Sequence, residues 1–115
     1  MRIFVKEITG NNCITMDQGQ KVYELIMPAL SKQTYVELNF EGISIYASPF
    51  FNVAIGKLLK DFSSADLNTY LKFENLNPTG LEVLKISISN SQQYFKDEKH
   101  KKVIDEVIRE QGDEF

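Results

Sequence analysis

The side chains able to do covalent or acid–base chemistry are few. The chain holds one histidine, His100, and one cysteine, Cys13. Serine–histidine–aspartate catalysis needs an imidazole held and oriented by neighbours. His100 instead lies in Lys99-His100-Lys101-Lys102, a charged stretch that reads as solvated surface. Cys13 has no cationic neighbour in sequence to lower its pKa, so it reads as a small buried residue beside a strand. The carboxylates Glu37, Glu41, Asp61, Asp66, Glu74 and Glu82 are scattered, and no pair forms an acid/base constellation. There is no Gly-x-Gly-x-x-Gly, Walker-type loop, Cys-x-x-Cys or His-Glu-x-x-His. The expectation is a protein that is not an enzyme, with no metal and no cofactor.

The segment with binding potential is Ser48-Pro49, which reads as a helix start: a side-chain cap followed by proline at the first helical position. Free N–H groups of a first turn, with the positive end of the helix dipole, favour an anion or a phosphorylated side chain. The plainer role for Ser48 is an N-cap worth about 1 kcal/mol. Phe50 and Phe51 follow. Adjacent helical residues point about 100° apart, so both cannot sit centrally on one buried stripe. Phe51 belongs to the stripe Phe51, Ala54, Ile55, Leu58 and Phe62. Phe50 is then expected to be a partly exposed anchor for a partner.

These residues need a scaffold, and the apolar pattern supplies one. Arg2 to Glu7 alternates and predicts a first strand. Thr9-Gly10-Asn11-Asn12 is a turn cluster, and Cys13 to Met16 reads as a short strand or an extended lead into a helix. Asp17 is the predicted N-cap of that helix, whose stripe is Val22, Leu25, Ile26 and Leu30. Pro28 is expected to kink or end it near Met27. Thr34 to Phe40 predicts a second strand, with a turn at Gly42 and an extended run through Ile43 and Ile45. Gly56 inside the next helix suggests close approach to the sheet or a neighbouring helix. Ser63-Ser64-Ala65-Asp66 breaks that helix and can begin another. Leu71 to Leu76 is a third strand. Asn77-Pro78 opens a segment whose cap and length favour helix over strand through Phe95. Asp97 to Gln111 is amphipathic, with the stripe Val103, Ile104, Val107 and Ile108, and the last residues read as a frayed end. Strands alternating with helices imply an α/β domain with parallel crossovers.

At 115 residues the chain is one domain. A chain of that size buries roughly two-thirds of its unfolded surface, enough for a core without staples. Residues 1–96 read as the domain body, with 97–115 as a C-terminal amphipathic helix and tail of the same domain. A single cysteine excludes an intramolecular disulfide. No apolar run is long enough for a signal peptide or a membrane span, so a cytoplasmic location and no membrane contact are expected. The net charge of −3 argues against nucleic acid as a partner.

The stretch Phe40-Glu41-Gly42, a Ser/Pro turn, and Phe50-Phe51-Asn52-Val53-Ala54-Ile55-Gly56-Lys57-Leu58 resembles the STAS-like domains of unknown function found in bacteria and their phages. Asn39, where many such domains carry aspartate, and Tyr94-Phe95 also fit, and the resemblance spans essentially residues 1 to 98. It implies a STAS-like α/β fold: a mixed sheet of about four strands with helices mainly on one face. More distantly, the chain is similar to STAS anti-sigma factor antagonists. Those carry Asp-Ser-Ser-Gly after the second core strand, with one serine phosphorylated by a partner kinase. Aligned through Gly42, the chain offers Ala47-Ser48-Pro49-Phe50 there, so Ser48 alone is retained.

The resemblance implies a non-enzymatic regulatory, signalling module. Its protein partner would be a histidine-kinase-like ATP-binding protein or a signalling protein encoded nearby. The working surface would be the 46–52 loop and helix start: Tyr46, Ser48, Pro49, Phe50 and Asn52, with Ser48 as a phospho-acceptor. A homodimer is compatible with the C-terminal stripe. The alternative is a small-ligand or nucleotide-binding protein that uses the same helix N-terminus as an anion site.

Overall fold

The computed structural model describes residues 1–96; the predicted C-terminal helix, its stripe and His100 lie outside the described residues. In chain order the elements are β1 (Arg2–Phe4), α1 (Lys6–Thr9), β2 (Asn12–Cys13), α2 (Met16–Ser31), β3 (Val36–Asn39), β4 (Ile45–Tyr46), α3 (Ser48–Ala54), a 3-10 helix (Gly56–Lys60), α4 (Ser64–Tyr70), β5 (Leu71–Glu74) and α5 (Pro78–Lys96). The fold is α/β, and every strand pair is parallel.

The expected mixed sheet of about four strands is corrected. One sheet has three strands, in the order β1-β3-β5, and β2 and β4 form a separate pair. The turn after β3 carries the chain away from that sheet. Gly42 takes φ +83°, a left-handed conformation that glycine adopts without strain. The Ser44 N–H then donates to the Asn11 carbonyl at 2.8 Å, and the Ala47 N–H to the Cys13 carbonyl at 2.9 Å. These bonds commit β4 to β2.

In register, Ile3, Leu38 and Phe73 form one row across the sheet, and Arg2, Glu37 and Lys72 form the next. Side chains alternate faces along a strand, so one face carries Ile3, Val36, Leu38 and Leu71, all buried. Among the described residues, the other face is largely accessible, with Asn39 alone buried on it. It carries Arg2, Phe4 and Lys72, all exposed. There Arg2 Nε donates to Glu37 at 3.0 Å, and this bond, with help from neighbouring groups, holds the Glu37 carboxyl below the usual glutamate range.

Three local expectations change. The first strand is shorter than Arg2–Glu7: the backbone turns helical at Val5, whose carbonyl accepts from the Ile8 and Thr9 N–H groups. The cap of α2 is Thr15, not Asp17. Thr15 accepts from the Gln18 N–H, and Gln18 Oε1 accepts from the Thr15 N–H, a reciprocal box that satisfies two otherwise orphaned donors. Pro28 does not end α2, which runs on to Ser31. Pro28 and Glu24, whose carbonyl loses its helical donor, both lie on the exposed side, where that carbonyl is open to solvent.

Helix α3 packs against α2 through Gly19, where an added Cβ would run into the Phe50 carbonyl and stand 3.1 Å from the Ala54 nitrogen. Gly56 does not lie inside one long helix, since α3 ends at Ala54 and the 3-10 helix begins at Gly56, but it does bring the chain close to a neighbouring helix, against Ser91 of α5. Helix α5 begins as expected, with Asn77 Oδ1 accepting from the Gly80 N–H at 2.7 Å, and runs through the ambiguous segment.

Candidate functional site

Strands β2 and β4 lie side by side, and each feeds a helix after a short connection: β2 into α2 and β4 into α3. The starts of both helices therefore sit at one end of the pair. From Gly42 to Gly56 the chain has no charged residue, and neither has Asn11 to Met16. Four apolar side chains in these runs are exposed: Ile14, Met16, Ile45 and Pro49. Ile45 keeps 53% of its surface accessible and Met16 62%.

Beneath them is an aromatic layer. The Tyr46 ring stacks on Phe51, with centroids 5.8 Å apart and planes 10° from parallel. Phe40 lies 6.0 Å from each of these rings, and Phe50 meets Phe51 edge-on at 5.1 Å. Such contacts add to the stabilisation from burial alone and fix the ring orientations. The surface above is thus held on a rigid base.

The sequence-predicted site residues divide into two groups. Ser48 and Pro49 are exposed. Ser48 is the first helical residue and makes no capping bond; the cap position falls to Ala47, whose side chain cannot accept one. The role of Ser48 as N-cap is therefore corrected. Pro49 has no N–H, and the Phe50 N–H is committed to the Ala47 carbonyl at 3.2 Å, so two first-turn donors are not available to an anion. Asn52 is exposed, yet its side-chain oxygen accepts from the buried Ser87 hydroxyl of α5.

Phe50 and Tyr46 are supports rather than contacts. Phe50 is 0% exposed, which overturns its expected role as a partly exposed anchor. Helix α3 is covered on two sides, by α2 and by α5, so both of its adjacent phenylalanines find core. Tyr46 is buried too, with its ring edge against Gly80 at the start of α5. Among the described residues its hydroxyl has no hydrogen-bond partner. Burial, with the nearby Cys13 thiol adding to it, pushes its pKa up to about 12.

Cys13 is fully buried, and burial raises its pKa against the lowering effect of Thr9 Oγ1 at 3.5 Å. A buried thiol held neutral is no nucleophile. Among the described residues, no group of three or more histidine, cysteine or acidic side chains could hold a metal ion. Also among these residues, no helix is long and apolar enough to cross a membrane.

Sequence reasoning missed the contribution of Ile14 and Met16. Their charge-free run was visible, but its place beside β4 depends on a pairing that no local pattern reveals. It also missed Gly19, although that glycine stands three residues before Val22 on the buried stripe of α2, a signal of close packing.

No curated protein and no solved structure matches the chain. One family does: its profile, described as a STAS-like domain of unknown function, matches residues 18–81, from the first turn of α2 into the first turn of α5. That span is narrower than the resemblance read from the sequence, but it takes in β3, β4, α3, α4 and β5 and more than half of the 115 residues. The chain belongs to this family of STAS-like domains.

Proposed function

We propose that the chain is a non-enzymatic regulatory module that binds a protein partner through the β2–β4 end of the fold. The contacts are Ile45, Ser48 and Pro49, extended by Ile14 and Met16. The observation that carries this reading is an uncharged strip with exposed apolar side chains on a rigid aromatic base. Centres of protein interfaces are depleted in charge, whereas solvated surfaces are not. Preorganisation lowers the ordering entropy lost on binding. Tyr46, Phe50 and the Asn52–Ser87 bond act from beneath, by fixing the loop. A phosphate on exposed Ser48 would place a double negative charge in the middle of the strip and oppose an apolar partner. The partner class suggested by the STAS resemblance is an ATP-binding kinase-like protein. The alternative, an anion or nucleotide site at the start of α3, has less support, because two of the first-turn donors are lost.

The test is affinity capture from the native host with the full chain, its Ile45→Glu variant and its Ser48→Asp variant, read by mass spectrometry. The expected result is a partner recovered by the wild type and lost by both variants at unchanged melting temperature. Retention by both variants would overturn the surface. A melting-temperature rise with nucleotides, and no captured partner, would favour the alternative.

A further inference from the structure

We propose that the cleft between α4, β5 and α5 binds a small neutral aromatic molecule carrying one hydrogen-bonding group. This inference is independent of the docking surface proposed above. Helix α5 leans on α3, the 3-10 helix and β4 and makes little contact with β5, which leaves a cleft of about 160 Å³ on the β5 side. Its floor is Ile55, Leu67 and Leu71, all buried. Phe73 and Ile88 form its walls, both partly buried and packed against the core. A cavity of about 150 Å³ lined by leucine, isoleucine and phenylalanine accepts a benzene ring. An apolar occupant would take the apolar surface of these side chains out of water, which is favourable.

The rim defines the rest of the ligand. Asn68 and Gln92 are exposed at the opening, and Gln92 Nε2 donates to Ser64 Oγ, joining α5 to α4 across it. The Asn68 side-chain amide is engaged by no other described residue, so it can donate or accept towards a ligand in the cleft. Among the described residues no charged side chain lines the cleft, so they offer nothing to offset the desolvation of an ion. A single ring with one hydroxyl, of the phenol class, fits the floor and reaches the rim.

The test uses the full chain with labelled isoleucine and leucine methyl groups, titrated with phenol and separately with benzene, followed by NMR. The expected result is saturable shifts at Ile55, Leu67, Leu71 and Ile88, with Ile26 and Leu30 of α2 unmoved. Phenol should bind about fivefold tighter than benzene, the effect of one neutral hydrogen bond. Asn68→Ala, an exposed change that leaves the core intact, should shrink that preference. Ile88→Phe should fill the cleft and abolish the shifts. The proposal is overturned if no shift saturates or if Ile26 and Leu30 respond equally. It is likewise overturned if phenol and benzene bind alike, if Asn68→Ala leaves the preference intact, or if a folded Ile88→Phe protein binds as the wild type does.

Discussion

Asn75 donates its side-chain amide to Asn39 Oδ1 at 3.0 Å, and the same oxygen accepts the Glu41 N–H at 2.9 Å. One oxygen thus ties the C-terminal ends of β3 and β5 to the turn that leads into β4. Asn75 holds a left-handed backbone, φ +57°, to make this reach. Asparagine tolerates that conformation better than most residues.

Two substitutions at this position separate the bond from the backbone. Asn75→Gly keeps the conformation and loses one hydrogen bond, so a destabilisation of about 1 kcal/mol is expected. Asn75→Ala loses the same bond and adds a Cβ penalty of roughly 1–2 kcal/mol in the left-handed region. Urea denaturation of both variants measures the difference. Equal stabilities would show that the backbone strain is not there.

Gly19 provides a prediction whose sign opposes helix propensity. In an open helix, glycine to alanine stabilises by about 1 kcal/mol. At Gly19 the new methyl meets the backbone of α3, which cannot rotate away. Gly19→Ala should therefore destabilise by about 2 kcal/mol. Gly56→Ala meets the side chain of Ser91, which can turn, so its effect should be smaller. Thermal melts of the two variants decide it, and a stabilised Gly19→Ala protein would refute the close α2–α3 contact.

Tyr46 gives the chain an alkaline sensitivity. Its folded-state pKa is about 12 against an ordinary value of 10.0. The unfolded chain loses this proton near pH 10, while the folded chain keeps it to about pH 12. The stability this group confers is thus complete below pH 10 and lost as pH rises from 10 to 12. Tyr46→Phe should remove that loss. At neutral pH it should be neutral or stabilising by about 1 kcal/mol, because a buried hydroxyl without a partner disappears. Denaturation at pH 7 and pH 11 tests both halves. A Tyr46→Phe protein that loses as much stability between these pH values as the wild type would sink the assignment.

The capping residues show what was legible in the sequence and what was not. Thr15 and Asp17 are both good cap residues two positions apart, and only the glutamine at Gln18 selects Thr15. Ser48 looked like a cap because proline follows it, but the chain bends one residue earlier, at Ala47. Thr15→Ala should therefore lower stability by about 1 kcal/mol, whereas Ser48→Ala should change it by less than about 0.5 kcal/mol. Strong local signals placed β3, β5 and α5, since each combines an apolar period with a cap or turn, whereas for α4 only the break at Ser63–Asp66 was legible. The failures were of another kind. Which short strand pairs with which, and whether a second helix covers Phe50, depend on contacts distant in sequence. For that reason the sequence predicts one core residue and one surface residue in the aromatic pair, whereas both are core.

Ser48→Asp is the variant that best separates surface from stability. A carboxylate at the first helical position sits near the positive end of the α3 dipole, an effect worth about 0.5 kcal/mol in favour of folding. The side chain it replaces is exposed and makes no capping bond, so nothing is lost beneath it. The variant should fold at least as well as the wild type, and far-UV spectra and melting temperature should confirm this. If the strip around Ile45 and Pro49 docks an apolar partner face, the added charge must be desolvated there without a counter-ion. Removing one unpaired charge from water costs several kcal/mol. A loss of even 2–3 kcal/mol would weaken binding by roughly a hundredfold, so capture of the partner should fail while folding improves. Ser48→Ala, which adds no charge, should leave capture intact. Failure of both variants to bind would instead assign the hydroxyl itself to the contact, and retention by both would move the partner to another face of the fold.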